Sequence, residues 1–190
     1  MQNILGVVLC GGLSKRMGSD KGLLPLGDTI WAKYGAAKLT ALNIPVVFSI
    51  NPTQQDAYAH YISTDKLVVD STHISGPLNG LLSVHKKFPE QHLLLLACDM
   101  LEMDTATITQ VMAVYQQQPG YDFYVYQDAE YAQPFCGIYT SNALAAILLK
   151  AENNQLEKFS MQYLLNGAHT KRITIEKQAA FSNCNHKPTH

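Results

Sequence analysis

A length of 190 residues suits a single α/β domain with a sizeable core and is too short for two ordinary enzyme domains. The composition, 47% hydrophobic and 15% charged with a formal net charge of -1, excludes a disordered chain and a global basic field for nucleic acid. No apolar run approaches the length of a membrane span, so neither nucleic acid nor a membrane is an expected partner.

Ile4 to Cys10 is a continuous apolar run, which predicts a central strand covered on both faces. A glycine-rich, charged loop follows from Gly11 to Gly27, then a helix from Ile30 to Leu42 on apolar spacing. The alternation continues with a strand at Val46 to Ile50, a short helix at Gln54 to Tyr61, a strand at Leu67 to Val69, a helix at Leu78 to Phe88 and a strand at Leu93 to Cys98. Strands alternating with helices mean βαβ crossovers. The second half predicts a helix from about Thr105 to Tyr115, a break at Pro119-Gly120, and β-prone segments at Tyr121 to Tyr126 and Phe135 to Tyr139. Helices from Asn142 to Lys150 and Phe159 to Leu165 and a strand at Arg172 to Ile175 complete it. The expected fold class is α/β, a single-domain three-layer Rossmann-like fold over residues 1–190. Its central sheet is mainly parallel, with helices on both faces and one antiparallel strand.

The four cysteines, Cys10, Cys98, Cys136 and Cys184, stand far apart and read as reduced thiols. With no signal-peptide pattern after Met1, the expected location is cytoplasmic. The seven histidines are scattered and no C-x₂-C or H-E-x-x-H occurs, which argues against zinc. Cys184, His186 and His190 read as a polar, frayed end.

Chemistry concentrates where the apolar strands stop. Leu9, Cys10, Gly11 and Gly12 open a loop that continues through Ser14, Lys15, Arg16 and Lys21. Glycines let backbone N–H groups approach phosphate oxygens, Arg16 offers a planar fork of donors and Lys21 a mobile point charge. The loop is neither G-x-x-x-x-G-K-[ST] nor G-x-G-x-x-G, which lowers P-loop ATPases and dinucleotide-dependent dehydrogenases. Val68-Val69-Asp70 ends a strand in a carboxylate able to accept from a guanine's N1–H and N2–H₂ edge, or to cap a turn. Leu93 to Cys98 delivers Asp99, either as a helix cap or as a ligand for Mg²⁺, which takes one or two carboxylates plus substrate phosphates.

The segment from Leu9 to Leu26, L-x-G-G-x-S-x-R-M-G-x-D-K-x-L-L-x-L, resembles the signature of the molybdenum cofactor guanylyltransferase (MobA) family. Gly76-Pro77-Leu78-Asn79-Gly80 after Asp70 is similar to the family's G-P-L-x-G, and Cys98-Asp99 to its C-D-x-P, with Leu101 in place of the proline. Phe181-Ser182-Asn183-Cys184-Asn185 resembles the family's F-x-N-x-N segment on the pterin side, and Gln133-Pro134 precedes a strand there.

The resemblance implies a nucleotidyltransferase fold whose residues 1–100 hold nucleotide and Mg²⁺ and whose residues 101–190 face the pterin. It implies catalytic roles for Arg16, Lys21 and Asp99, with Asp99 the metal ligand. Leu9, Cys10, Gly11, Gly12, Ser14, Lys21, Asp70, Gly76, Gly80 and Asp99 would line the nucleotide, together with Ser49 or Asn51, of which Asn51 is chosen on side-chain chemistry. Gln133, Pro134, Asn183 and Asn185 would face the pterin. The implied substrates are GTP and molybdopterin, with transient contact to cofactor-synthesis proteins or apo-molybdoenzymes. Three alternatives stand beside it: a molybdopterin cytidylyltransferase, a sugar-phosphate nucleotidyltransferase, and a catalytically silent nucleotide-binding module.

Overall fold

The computed structural model describes residues 3–11, 20–182 and 184. β1 (Ile4–Leu9) is buried at every position, as its unbroken apolar run requires. Past the glycine-rich segment, a 3₁₀ turn at Lys21–Leu23 leads into a two-strand hairpin, β2 (Pro25–Leu26) and β3 (Thr29–Ile30). The hairpin stands where the sequence predicts loop up to Gly27 and helix from Ile30. Gly27, at φ 56°, followed by Asp28 supplies the two-residue hairpin turn, and the hairpin delays the helix α1 to Trp31–Thr40.

β4 (Val46–Ile50) follows, then a 3₁₀ turn at Pro52–Gln54 running into α2 (Gln55–Ala59). This helical stretch begins before the expected Gln54 because Asn51 caps it and Pro52 occupies the first position. β5 (Leu67–Val69), α3 (Pro77–Lys87), β6 (His92–Ala97) and α4 (Thr105–Gln117) complete the βαβ half. The second half is β7 (Phe123–Gln127), β8 (Ala132–Tyr139), α5 (Ser141–Glu152), α6 (Met161–Gly167) and β9 (Thr170–Thr174). β8 starts three residues before the expected strand. It passes an irregularity in its register with β7, and buried Cys136 sits at φ 58°.

The seven-stranded sheet runs β5-β4-β1-β6-β8-β7-β9. β8 is antiparallel to both neighbours and the other pairings are parallel, as the sequence predicted. One face packs Val8, Phe48, Leu94 and Tyr124 beneath α1 and α4; the other packs Val7, Leu95 and Phe123 beneath Leu82 of α3, Leu144 of α5 and Leu165 of α6. The chain leaves β1 towards β5 and returns to β6 on the other side, so a topological switch point lies between β1 and β6, where open α/β sheets bind ligands. No helix among the described residues is long and apolar enough to cross a membrane.

Candidate active site

Parallel pairing brings the C-terminal ends of β5, β4, β1 and β6 to one edge, and backbone bonds carry the order past the strands. Asp70 N donates to Ile50 O at 2.8 Å, Cys10 N to Ser49 O at 2.9 Å, and Cys98 N to Leu9 O at 3.1 Å. Asp70, Asn51, Gly11 and Asp99 therefore stand side by side along that edge. Gly11 is exposed, and a Cβ on it would lie 3.6 Å from Asp70 Oδ2, so its bare backbone and the Asp70 carboxylate border one space.

Lys21 reaches this edge from the end of the loop. Its Nζ lies 2.8 Å from Asp99 Oδ2, with both side chains mostly buried. The residue before it sets the geometry. Asp20 caps the 3₁₀ turn by accepting from Gly22 N at 3.0 Å, and it also accepts from Tyr58 Oη at 2.9 Å and from Gln54 Nε2. Gln54 is nearly buried and ties the ends of β1 and β4 to the Asp20 turn: its amide donates to Cys10 O at 3.1 Å and its Oε1 accepts from Asn51 N at 2.8 Å. Sequence reading assigned no role to Asp20, Gln54 or Tyr58. The signal was legible, since Asn51-Pro52-Thr53-Gln54 is a capping box and Gln54 and Tyr58 share a helical face.

On the other flank, burial raises the Asp70 carboxyl above its ordinary pKa, and a 3.3 Å hydrogen bond from Ser49 Oγ opposes the shift. Ser49 is buried and points at Asp70, whereas the Asn51 side-chain oxygen Oδ1 is taken by Thr53 N at 2.9 Å and Thr53 Oγ1 at 2.7 Å. Gly76, at φ 80°, turns the chain into α3 ahead of Pro77. Gly80 sits one turn on, where a Cβ would overlap Ser49 Oγ and lie 2.8 Å from Leu9 Cδ2 and 3.4 Å from Asp70 Oδ1. Asn79 Oδ1 accepts from Thr72 N, Thr72 Oγ1 and Ser83 Oγ, fastening the β5–α3 connection. Each residue of the Gly-Pro-Leu-Asn-Gly segment thus has a structural use: Leu78 is buried, and Gly80 lets α3 approach the base of Asp70.

The turn after β6 carries Asp99. Met100 N donates to Ala97 O at 3.2 Å, Met103 N to Met100 O at 3.2 Å, and Cys184 N to Asp99 O at 3.0 Å. From α1, Lys38 Nζ donates to Leu101 O at 2.6 Å and Met100 O at 3.3 Å, and Leu101 packs on Trp31. Asp99 is not the cap of α4; Asp104 is, accepting from Thr107 N at 2.8 Å. Among the described residues no three His, Cys, Asp or Glu side chains converge as a metal cage. A single carboxylate at an open, phosphate-suited edge fits Mg²⁺, which completes its shell with water and substrate oxygens, and does not fit a structural zinc site.

β8 runs back along β6, so Gln133 and Pro134 come to the same edge, beyond Asp99. Gln133 Nε2 donates to Asp128 Oδ2 at 2.8 Å, and Pro134 O accepts from Tyr139 Oη at 2.8 Å. A cavity of about 370 Å³ opens nearby, lined by Gln127, Asp128, Arg172, Thr174 and Gln178 among others. Gly12, Ser14, Arg16, Asn183 and Asn185 lie outside the described residues. Cys184, between the last two, is part-buried beside Leu24, Trp31 and Leu101.

This edge, with a glycine turn, a lysine and two strand-end carboxylates, is that of a nucleotide-handling α/β protein. Residues 6–168 match the model of the MobA-like NTP transferase domain, and the chain belongs to that family of nucleotidyltransferases. It is 29% identical over 151 residues to a molybdenum cofactor biosynthesis bifunctional protein of Synechocystis, a match covering 79% of this chain and 42% of that one. It is 30% identical over 131 residues to a molybdenum cofactor guanylyltransferase of Shewanella frigidimarina, covering 67% of this chain and 64% of that one. The chain thus spans less than two thirds of either relative. In fold it is similar to molybdopterin-guanine dinucleotide biosynthesis protein A of Archaeoglobus fulgidus, with a TM-score of 0.76 at 17% identity over 96% of this chain and 92% of that one.

Proposed function

We propose that the chain transfers GMP from GTP to the terminal phosphate of molybdopterin, forming the guanine dinucleotide cofactor and releasing diphosphate. The observation that carries this reading is the convergence of Gly11, Lys21, Asp70 and Asp99 on one sheet edge. Family membership and the named guanylyltransferase relative support the choice of substrates.

In this reading Asp70, oriented by Ser49, accepts hydrogen bonds from the guanine edge. The backbone at Gly11 and Gly12 holds the triphosphate, and Leu9, Cys10, Ser14, Asn51, Gly76 and Gly80 shape its surroundings. The pterin phosphate needs no strong base, because its second pKa is about 6 and it is already ionised at neutral pH. One of its oxygens bonds to the α-phosphorus as the bond to the bridging oxygen breaks, and that electron pair leaves on diphosphate. Arg16 and Lys21 stabilise the charge growing there. Asp99 would hold Mg²⁺, which when bound would supply further neutralisation of phosphate oxygens. Lys21 then exchanges its carboxylate partner for the triphosphate. Gln133, Pro134, Asn183 and Asn185 face the pterin. The setting is the cytoplasm, and transient contacts with cofactor-synthesis proteins or apo-molybdoenzymes deliver and receive the cofactor.

The test is Mg²⁺-dependent turnover with molybdopterin, comparing GTP, CTP and ATP and detecting diphosphate. Release with GTP alone supports the proposal. Preference for CTP moves the chain to the cytidylyl reaction, and silence with all three in folded protein overturns an enzymatic role.

A further inference from the structure

Lys38 stands in the last turn of α1, where a basic side chain ordinarily complements the helix's own C-terminal carbonyls. Here it does something else. Its Nζ crosses to the turn after β6 and donates to two successive carbonyls there, Met100 O at 3.3 Å and Leu101 O at 2.6 Å. The ammonium also lies 4.4 Å from the centre of the Tyr34 ring. Two helical turns back on the same face of α1, Trp31 packs against Leu101. The helix therefore grips this turn twice, by an apolar contact and by a charged donor, immediately after Asp99.

Holding the ammonium there is costly. Partial burial pushes its pKa down to about 8, against the attraction of Glu102, Asp104 and Cys184, which face it from the turn and the C-terminal segment. None of these groups is within ion-pair distance of it among the described residues. A half-buried cation whose partners are backbone carbonyls fixes a backbone path more than it neutralises a charge.

We infer that Lys38 is a positioning residue that fixes the turn bearing Asp99 and so aims its carboxylate at the divalent cation, an inference that rests on Asp99 being the metal ligand. It touches neither substrate nor metal. Its effect is read as metal affinity separate from nucleotide affinity.

The probe is Mn²⁺ binding to the full chain with GTP, followed by electron paramagnetic resonance, together with GTP binding measured without metal. Lys38→Met keeps the aliphatic stem and removes the donors. It is expected to weaken Mn²⁺ by about tenfold or more, in the range of outer-sphere metal-site substitutions, with metal-free GTP affinity unchanged and a cooperative melt. Lys38→Gln, a second truncation, changes in the same direction, and Lys38→Arg, which brings a charged donor to the same carbonyls, returns towards wild type. In turnover the same variants raise the metal concentration needed for half-activation without raising the KM for GTP. Wild-type Mn²⁺ affinity in folded Lys38→Met overturns the inference alone. A parallel loss of metal-free GTP affinity overturns it too, since it marks general loosening. Failure of the wild-type chain to bind Mn²⁺ with GTP overturns the reading of Asp99 and the inference with it.

Discussion

Lys21 Nζ and Asp99 Oδ2 meet at 2.8 Å although 78 residues separate them, with their side chains 20% and 17% exposed. The cation that would hold phosphate and the carboxylate that would hold metal thus satisfy one another across the β1–β6 switch point. Loading the site has to divide this pair. For Lys21→Ala the expected outcome is turnover reduced by about 10² to 10³, the scale of losing one charge-stabilising donor. Mn²⁺ affinity without nucleotide rises, because Asp99 no longer has a competing cation. Wild-type turnover in this variant removes Lys21 from the mechanism.

Asp70 supplies base selectivity in the proposed reaction. Asp70→Asn replaces an acceptor by a group that also donates, and should cost GTP about 1 to 3 kcal/mol of discrimination. The check is KM for GTP against inosine triphosphate, which lacks the 2-amino group. Wild type separates the two nucleotides and Asp70→Asn does not; equal discrimination by both proteins rules Asp70 out as the guanine reader.

Gly80→Ala sets helix propensity, worth about 1 kcal/mol in favour, against crowding at Ser49 Oγ and Leu9 Cδ2. Overpacking costs about 1 to 3 kcal/mol, so the net effect is a loss of stability. Relief requires the Ser49 hydroxyl to swing away from Asp70, which weakens GTP binding as well. Ser49→Ala in the Gly80→Ala background should recover stability, and denaturant melts of the two single variants and the double variant measure that coupling.

Asp104 links the chain's acid stability to the cap of α4. Lys177, and then Thr107 at the cap, hold its carboxyl at about 2 in the folded protein, below the ordinary value of 3.8. A depressed folded pKa means that the contribution is complete above about pH 4 and is lost as pH falls towards about 2. Asp104→Asn should melt below wild type at neutral pH, and the gap should close over that window. A gap independent of pH assigns the effect to the altered side chain and not to its charge.

Much of this molecule was legible in the sequence because the signals were local. The unbroken apolar run of β1 placed that strand at the centre, and the carboxylates after β5 and β6, Asp70 and Asp99, had to emerge at the same edge. The single antiparallel strand followed from two aromatic β segments close in sequence. What stayed hidden depended on distance. Lys38 drew no reading from the sequence because its carbonyl partners lie more than sixty residues on. Ser49 and Asn51 share one face of a strand, so no periodicity separates them. Their difference, a hydroxyl facing Asp70 and an amide capping the next turn, emerges only when Pro52–Gln54 folds back. The hairpin at Pro25–Ile30 was missed because two-residue strands carry too few side chains to set a period.

Trp31 is the only tryptophan in the chain, has no exposed surface, and its indole nitrogen finds no hydrogen-bond partner among the described residues. It packs between Leu24, just past Lys21, and Leu101, just past Asp99. The two segments that carry the opposed charges of the site therefore share one fluorophore between them. Emission excited selectively from tryptophan should be blue, as a fully buried indole requires, and should shift whenever those two segments change their separation. If ligand entry at the proposed site parts Lys21 from Asp99, that shift would report it without label or second substrate.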